Sequence, residues 1–235
     1  MISGLLVLGT ISDGYAEFIP NISDQPGPTY TYSIVHLSDT QNLASYYPDT
    51  YNHTFTYLDS LKSQYNISAI IITGDLVNNY DNLTEWQTYA NAINKTSIPI
   101  YVTAGNHDTN AGKDDRNYDI FTGSSDRYYL TTVNDFNLVG ISYVKKTLPS
   151  SDLQQIKTFL ETSPYQVTII ATHYYMDPDG EFSRLGRSIN QDLVVGPTIL
   201  MTGHKHVYSP YITRIQVGSY PVIEDLADFQ DGIKG

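Results

Sequence analysis

The hydrophobic positions of the chain form short apolar runs that alternate with amphipathic stretches. Residues 69–73 form an uninterrupted, mostly β-branched run (AIIIT), which is typical of a strand covered on both faces. Phe55, Leu58 and Leu61 recur at helical spacing within residues 54–65. The same criteria predict strands at 32–37, 69–73, 98–104, 128–133, 136–142, 167–172, 198–202 and 212–217, and helices at 54–65, 84–93, 151–160 and 185–193.

This order of elements predicts the fold class. Strands that alternate with helices are typical of parallel sheets, and the two strands flanking Asn134 and Asp135 predict a hairpin that adds an antiparallel portion. We therefore expect an α/β sandwich in which the sheets lie between helices. Thr84 is a plausible N-cap for the second helix, and Trp86 lies on a helix face that we expect to belong to the core.

The first 28 residues differ from the rest of the chain. Residues 2–11 are apolar, and residues 20–28 (PNISDQPGP) have the composition of a linker ahead of one folded domain at 29–235. The apolar segment is consistent with a signal or anchor remnant, because Gly14-x-Ala16 resembles a signal-peptidase site, although no Lys or Arg precedes it. A buried N-terminal strand is the alternative. We expect an extracellular or membrane-anchored prokaryotic location if the first reading holds, and a cytoplasmic one otherwise.

Charge and cysteine content exclude several functions. The chain carries 13 Lys and Arg against 25 Asp and Glu, a net charge of −12 with a sequence pI near 4.6. Bulk nucleic acid is excluded as the main partner because no basic run is present to neutralise its phosphates. The absence of Cys excludes disulfides, thiolate metal ligands and a Cys nucleophile.

The chemically informative side chains follow the predicted strands. In α/β sheets, ligands collect outside the carboxyl ends of the strands, so residues at several such ends share one edge. Alone, each of these residues has a simpler explanation as a helix cap, a turn residue or a buried core His. Together they favour a site for Mn, Fe, Zn or Mg, because they offer carboxylate, amide and imidazole ligands without thiolate. The residues are Asp39, Asp75, Asn106, His173, His204 and His206.

Five short motifs run through this region in a fixed order. They are Asp39-Thr40-Gln41, Gly74-Asp75, Gly105-Asn106-His107-Asp108, Thr172-His173 and Gly203-His204-Lys205-His206. Singly they carry little information, but in this order the chain resembles the calcineurin-like metallophosphoesterase superfamily. The resemblance covers positions 39 to 206, and it implies a four-layer α/β/β/α sandwich of mixed sheets, the metallo-dependent phosphatase fold.

The resemblance also implies a ligand set for two divalent ions. One ion would be held by Asp39, Gln41, Asp75 and His206, and the other by Asp75, Asn106, His173 and His204. In such sites a metal-bridging hydroxide hydrolyses phosphomonoesters or phosphodiesters. His107 would act as the general acid for the leaving oxygen, and Asp108 would orient His107. The expected partner is a small phosphate ester.

Gln41 departs from the usual pattern, because the family usually places His at this position. An amide oxygen is a weaker ligand than imidazole for late transition metals, so we expect manganese to be favoured. The same departure supports an alternative function, a non-catalytic extracellular metal-binding module of the same fold.

The predicted substrate contacts are Arg and Tyr side chains near the motif-bearing strand ends. Arg side chains suit bidentate phosphate binding, although surface ion pairs are the commoner role. Tyr174 and Tyr175, which follow His173, are candidates to stack on an organic leaving group, or simply pack at the rim. The Arg candidates are Arg116, Arg127, Arg184 and Arg187.

Overall fold

The computed structural model describes residues 32–124, 127–143, 148–177 and 181–205, and the backbone of residues 6–7, 216–217 and 220–221. The strands are β1 (Leu6–Val7), β2 (Ser33–Leu37), β3 (Ile67–Thr73), β4 (Ile100–Thr103), β5 (Tyr128–Val133), β6 (Phe136–Ile141), β7 (Val167–Thr172), β8 (Thr198–Met201), β9 (Gln216–Val217) and β10 (Tyr220–Pro221). The helices are α1 (Gln41–Tyr46), α2 (Pro48–Leu61), α3 (Leu83–Ile93), α4 (Arg116–Thr122), α5 (Ser150–Thr162) and α6 (Arg184–Asp192).

Two four-stranded sheets form the centre of the fold. The first has the order β1-β2-β3-β4 and is parallel throughout. The second has the order β5-β6-β7-β8, in which only β5 is antiparallel to its neighbour. The predicted hairpin is confirmed, since Val133 pairs with Phe136 and Asn134 takes the left-handed conformation that a tight turn needs. The remaining strands, β9 and β10, pair with each other.

Three apolar clusters separate four layers. In β3, Ile70 and Ile72 pack with Trp86 and α1–α4 on one face, while Ile71 faces the second sheet on the other. A third cluster, which includes Ile156 of α5, covers the outer face of the second sheet. The predicted α/β/β/α sandwich and the core position of Trp86 are therefore confirmed, and burial of both faces explains why β3 is an unbroken apolar run.

The helix boundaries differ from the predictions. The helix predicted at 54–65 spans Pro48–Leu61, with Pro48 in the first turn, where a missing N–H is tolerated. Thr84 as N-cap was wrong: Asn82 caps α3, and its side chain accepts a hydrogen bond from the Thr84 N–H. Helices α1 and α4 were not predicted, because both are short and α4 buries only Tyr118 fully.

The ends of the chain are described only in part. The backbone of Leu6–Val7 pairs parallel with Val35 and His36. The predicted linker at 20–28 lies outside the described residues, as does most of the strand predicted at 212–217. Within the described part of the chain, no helix combines the length and the apolar character needed to cross a bilayer.

We expect His36 to make the stability of the fold depend on pH. This side chain lies at the end of β2, where its Nε2 is 2.9 Å from Thr73 Oγ1, and burial lowers its pKa to about 4. In the unfolded chain the same imidazole has its ordinary pKa of 6.5. Between pH 6.5 and about 4 the unfolded chain therefore binds more protons than the folded protein, so stability is lost as the pH falls through this range. Urea unfolding measures the decrease in the free energy of unfolding when the pH is lowered from about 7 to 5. This decrease should be about 1–2 kcal/mol smaller in His36→Gln than in the parent. Equal losses in the two proteins would contradict the prediction.

Candidate metal centre

The structure gathers the strand-end residues at one edge of the two sheets. Asp39 follows β2, Asp75 follows β3 and Asn106 follows β4, all in the first sheet. His173 follows β7 and His204 follows β8 in the second sheet. The carboxyl ends of parallel strands share an edge, and this is why residues far apart in sequence meet there.

The imidazole of His173 is at the centre of the cluster. Its Nε2 is 3.0 Å from Asn106 Oδ1, 3.2 Å from Asp75 Oδ2 and 3.2 Å from His204 Nδ1. Ligand atoms of Asp75, His173 and His204 all lie within 4.8 Å of one another. Four side chains thus direct a carboxylate oxygen, an amide oxygen and two imidazole nitrogens to one point. They are the residues that the family resemblance assigned to the second ion.

The orientation of His173 is fixed by the backbone. Its Nδ1 is 2.8 Å from the carbonyl oxygen of Thr73, which can only accept, so Nδ1 carries a proton and Nε2 is the nitrogen presented to the site. A second partner of this kind is typical of metal-binding His residues.

The charges in the cluster favour a cation. Burial acts to lower the pKa of His173, but the charge and hydrogen bond of Asp75 and the charge of Asp39 outweigh it and raise the pKa to about 9. Burial acts to raise the pKa of Asp75, but the nearby His173 and the hydrogen bond from the His107 backbone hold it below its ordinary value. The raised pKa of His173 reflects the negative charge of Asp75 and Asp39 at a buried site, a charge that a divalent ion would neutralise in place of the proton.

The second group of predicted ligands surrounds Asp39. The backbone N–H of His204 donates to both carboxylate oxygens of Asp39, at 2.9 and 3.0 Å, and the Ser38 hydroxyl donates to Oδ2. These bonds connect the ends of β2 and β8. Gln41 is buried at the start of α1, while His206, the remaining predicted ligand of this ion, lies outside the described residues.

Backbone strain is concentrated at the same place. Asp39, Asp75 and His204 have φ values of 55°, 52° and 80°, in the left-handed region that side chains other than glycine rarely adopt. Each such residue costs on the order of 1–3 kcal/mol, and strain of this kind clusters at functional sites. The arrangement of these three residues therefore persists because the surrounding hydrogen bonds determine it.

Asp108 was predicted to orient His107, and this prediction was wrong because the two side chains bond to other groups. His107 Nδ1 is 2.7 Å from the carbonyl oxygen of Asn78, and that carbonyl, not the Asp108 carboxylate, orients the imidazole. Asp108 instead accepts the backbone N–H groups of Leu76 and Val77 at one oxygen and of Gly105 at the other, at 2.7–3.1 Å. The Asp108 side chain is completely buried under the loops after β3 and β4, and these three bonds replace the hydrogen bonds with water that its carboxylate has lost.

Asp108 thereby joins the loop that carries Asp75 to the loop that carries Asn106. Burial and the charge of Asp75 raise the pKa of Asp108 to about 7, although the backbone N–H donors oppose the shift. A sequence offers no signal for either role, because the partners of Asp108 and His107 are backbone groups.

Gly105 allows the loops after β3 and β4 to approach each other. A Cβ atom at this position would collide with Asp75 Oδ1 and the Asp75 backbone nitrogen and would lie 2.8 Å from Asp75 Cγ. We expect Gly105→Ala to lower the free energy of unfolding by about 1–3 kcal/mol and to weaken metal binding, because Asp75 must shift. Gly196→Ala is the matched control, since its Cβ would meet nothing closer than Gln166 O at 3.9 Å. Calorimetry and metal titration check both variants, and equal behaviour of the two would contradict the prediction.

Tyr174 borders the cluster, as its place after His173 suggested. Its ring centroid lies 4.3 Å from that of His204, and Lys205 Nζ lies 4.9 Å above the Tyr174 ring. Asp177 accepts a hydrogen bond from the Tyr174 hydroxyl and pairs with Lys205 at 2.7 Å. Tyr175 is instead a core residue that packs against Phe182 in the outer apolar cluster.

The Arg candidates have other partners or exposed positions. Arg116 is highly exposed and pairs with Asp114, and Arg187 donates to the carbonyl oxygen of Phe182. Arg127 is exposed just before β5, and Arg184 begins α6. Their contact with a substrate stays a prediction.

Two neighbours of the site, one aromatic and one basic, were not predicted from the sequence. The centroid of the Tyr143 ring lies 6.2 Å from the ring centroid of His173 and 6.5 Å from that of His204. Lys205 lies beside Tyr174. Each has a signal in the sequence, since Tyr143 follows the end of β6 and Lys205 lies inside the Gly203–His206 motif.

The cluster fits a metal ion by its own chemistry. Two imidazoles, a carboxylate and an amide oxygen without thiolate suit a catalytic divalent ion rather than a structural zinc site. The fold and this site together define the class of protein, an α/β/β/α sandwich with a candidate divalent-metal centre at its strand ends.

The comparisons with known proteins specify the family. The calcineurin-like phosphoesterase family matches residues 32–208, and the chain belongs to this family. It is 27% identical over 199 residues to the uncharacterized protein YvnB of Bacillus subtilis (strain 168), a match that covers 74% of this chain. The chain spans about 15% of the length of that relative.

A solved structure with a similar fold is the purple acid phosphatase PPD1 from yellow lupin (Lupinus luteus) seeds. The likeness has a TM-score of 0.49 at 16% sequence identity, and it covers 65% of this chain and 33% of that chain.

Proposed function

We propose that this chain hydrolyses small phosphomonoesters or phosphodiesters at a dinuclear metal centre. The observation that carries the proposal is the convergence of Asp75, Asn106, His173 and His204 on one point at the strand ends. Membership of the calcineurin-like phosphoesterase family supports the same reaction class. The second ion would share Asp75 and add Asp39, Gln41 and His206.

When bound, divalent ions activate a water molecule for attack on phosphorus and neutralise charge on the phosphoryl oxygens. The side chains of this chain supply the rest. His173 and Asp75 are held in place by backbone groups, so the ligand set is organised before an ion arrives. His107 would donate a proton from Nε2 to the leaving oxygen, because its Nδ1 proton is engaged by Asn78.

We propose manganese as the favoured metal. Gln41, which is buried at the start of α1, would supply an amide oxygen where an imidazole would favour zinc, and the ligand set would then shift towards harder donors. Competition between manganese and zinc at equal concentrations checks this preference. A Gln41→His variant should shift the selectivity towards zinc if the amide determines it.

The test of the function uses metal-stripped protein. p-Nitrophenyl phosphate and its bis-ester are offered after manganese, magnesium or zinc is added back separately, and the ratio of the two rates gives the ester preference. We expect metal-dependent turnover, and we expect Asn106→Ala to abolish it because the amide oxygen next to His173 is lost. Metal-independent turnover, or turnover that survives this substitution, would contradict the proposal.

The rival function is a non-catalytic metal-binding module, which Gln41 alone favours. That module would bind one ion per chain and hydrolyse neither ester with any metal. His107 argues against it, because a half-buried imidazole held by a backbone carbonyl beside Asp75 has no evident purpose in a simple binding module.

A further inference from the structure

A buried carboxylate outside the metal cluster is connected to His107. Glu85 lies in the first turn of α3 and is 5% exposed. Its Oε2 accepts the backbone N–H groups of Asn78 and Asn79 at 2.7 and 2.9 Å. Its Oε1 accepts the side-chain amides of Asn79 and Asn82 at 3.1 and 2.9 Å. Four donors thus compensate the desolvation of one buried carboxylate.

Capping of α3 accounts for only part of this network. Asn82 is the N-cap, and a Glu three residues later usually bonds back to the N-cap residue. In a capping box the donor is the backbone N–H of the N-cap residue, but the Asn82 N–H donates to the Asn79 carbonyl, and Glu85 accepts the side-chain amide of Asn82. The two backbone N–H groups at Oε2 belong instead to the loop after β3, which also carries Asp75. A cap does not require them.

One peptide group lies between Glu85 and His107. The N–H of Asn79 donates to Glu85 Oε2, and the carbonyl oxygen of Asn78, in the same peptide unit, is 2.7 Å from His107 Nδ1. The unit is trans, so its N–H and C=O point to opposite sides of the plane. Hydrogen bonds in such a chain polarise one another, and the carboxylate therefore strengthens the carbonyl as an acceptor for the imidazole.

The contact with the Asn78 carbonyl determines which nitrogen of His107 can face the leaving oxygen. A carbonyl can only accept, so the imidazole keeps one proton on Nδ1, and Nε2 is the nitrogen that carries the second proton, which it gives to the leaving oxygen. The backbone N–H of His107 donates to Asp75 Oδ1 at 3.0 Å, which fixes the other end of the residue. His107 is thus held from both sides, by Asp75 through its backbone and by Asn78 through its ring.

We propose that Glu85 is a positioning residue for His107, acting through the peptide group between Asn78 and Asn79. The proposal rests on the proposed function in that His107 is taken as the proton donor to the leaving oxygen. No proton passes through the peptide group; Glu85 sets the position of the imidazole and keeps one proton on Nδ1, so that the proton given to the leaving oxygen comes from Nε2. The arrangement replaces a direct carboxylate–imidazole pair with one in which a peptide lies between the two groups.

The kinetic test compares Glu85→Gln with the parent on two substrates. A proton donor matters most for a poor leaving group, so kcat for glycerol phosphate should fall by roughly 10- to 100-fold with KM nearly constant. The rate for p-nitrophenyl phosphate, which needs little protonation, should fall much less. In a His107→Asn background, Glu85→Gln should produce no further loss on either substrate, because the two residues act as one unit.

The matched control is Asn82→Ala. This variant loses the N-cap of α3 and one donor to Glu85 but keeps both loop N–H bonds to Oε2. It should lose stability while retaining the parent ratio of the two rates. If Glu85→Gln slows both substrates equally, or slows them further in the His107→Asn background, Glu85 acts only on the fold and the proposal is overturned.

A spectroscopic readout separates this proposal from the proposed function. Nitrogen-15 NMR of the metal-free protein should show the neutral imidazole of His107 with its single proton on Nδ1, and Glu85→Gln should give a mixture of the two neutral tautomers. An unchanged tautomer overturns the positioning role even if the enzyme is active. Absence of turnover in the parent would overturn the proposed function, while the tautomer still tests the link between Glu85 and His107.

Discussion

Replacing Asp75 with Asn should abolish both metal binding and hydrolysis. Asp75 Oδ2 lies 3.2 Å from His173 Nε2, Oδ1 accepts the His107 backbone N–H, and the side chain is almost fully buried. Asp75 is also the residue that belongs to both predicted ligand sets. An amide of the same shape removes the negative charge that attracts the ions, so kcat/KM should fall by at least ~10³-fold.

Elemental analysis of the purified variant should find far less bound metal than in the parent. Glu161→Gln, an equally small change at an exposed position of α5, is the matched control and should retain metal and activity. A variant Asp75→Asn that keeps two ions per chain would show that Asp75 does not bridge them. Full activity with the normal metal content would remove Asp75 from the mechanism.

Replacing His107 with Asn should slow hydrolysis according to the leaving group. Asn retains a donor near the position of Nδ1, so the contact with the Asn78 carbonyl can survive, while Nε2 is lost. For an alkyl phosphate we expect kcat to fall by roughly 10²- to 10⁴-fold, the contribution of general acid catalysis. p-Nitrophenyl phosphate should be affected much less, because its leaving group departs without a proton.

The slope of log kcat against leaving-group pKa measures this effect directly and should become steeper in the variant. His53→Asn makes the same substitution at an exposed position of α2 and should leave the slope unchanged. An equal loss for all leaving groups would mean that His107 binds the phosphoryl group instead of protonating the leaving oxygen.

The architecture and the cluster could be predicted because the same short segments carry both signals. A strand such as β3 must be apolar on both faces, and the residue that ends it must be polar if it lines a site. The run that ends at Thr73 and is followed by Gly74 and Asp75 therefore marks a strand and a ligand together. The order of five such segments also supported the four-layer fold.

The parts that could not be predicted depend on backbone groups. The carbonyl of Asn78 that holds His107, and the N–H groups that hold Asp108, are present at every residue and leave no mark in the sequence. The assignment of Asp108 to His107 failed for this reason. The N-cap of α3 was misplaced by two residues because Asn82 and Thr84 are both good caps, and only the loop geometry decides between them.

Glu85 shows where a sequence signal existed but had another explanation. Asn82 and Glu85 have the spacing of a capping box, which suffices to account for a Glu in the first turn of a helix. Only the structure shows that Oε2 bonds to the loop that carries Asn78. A residue that acts through a peptide group has no motif of its own.

The most direct test of the dinuclear centre is a titration of metal-stripped protein with manganese, followed by activity and by electron paramagnetic resonance. We predict that activity reaches its plateau at two ions per chain and that the spectrum shows an exchange-coupled pair, since both ions would share Asp75 under the proposed function. A plateau at one ion per chain, with the spectrum of an isolated ion, would contradict the dinuclear centre.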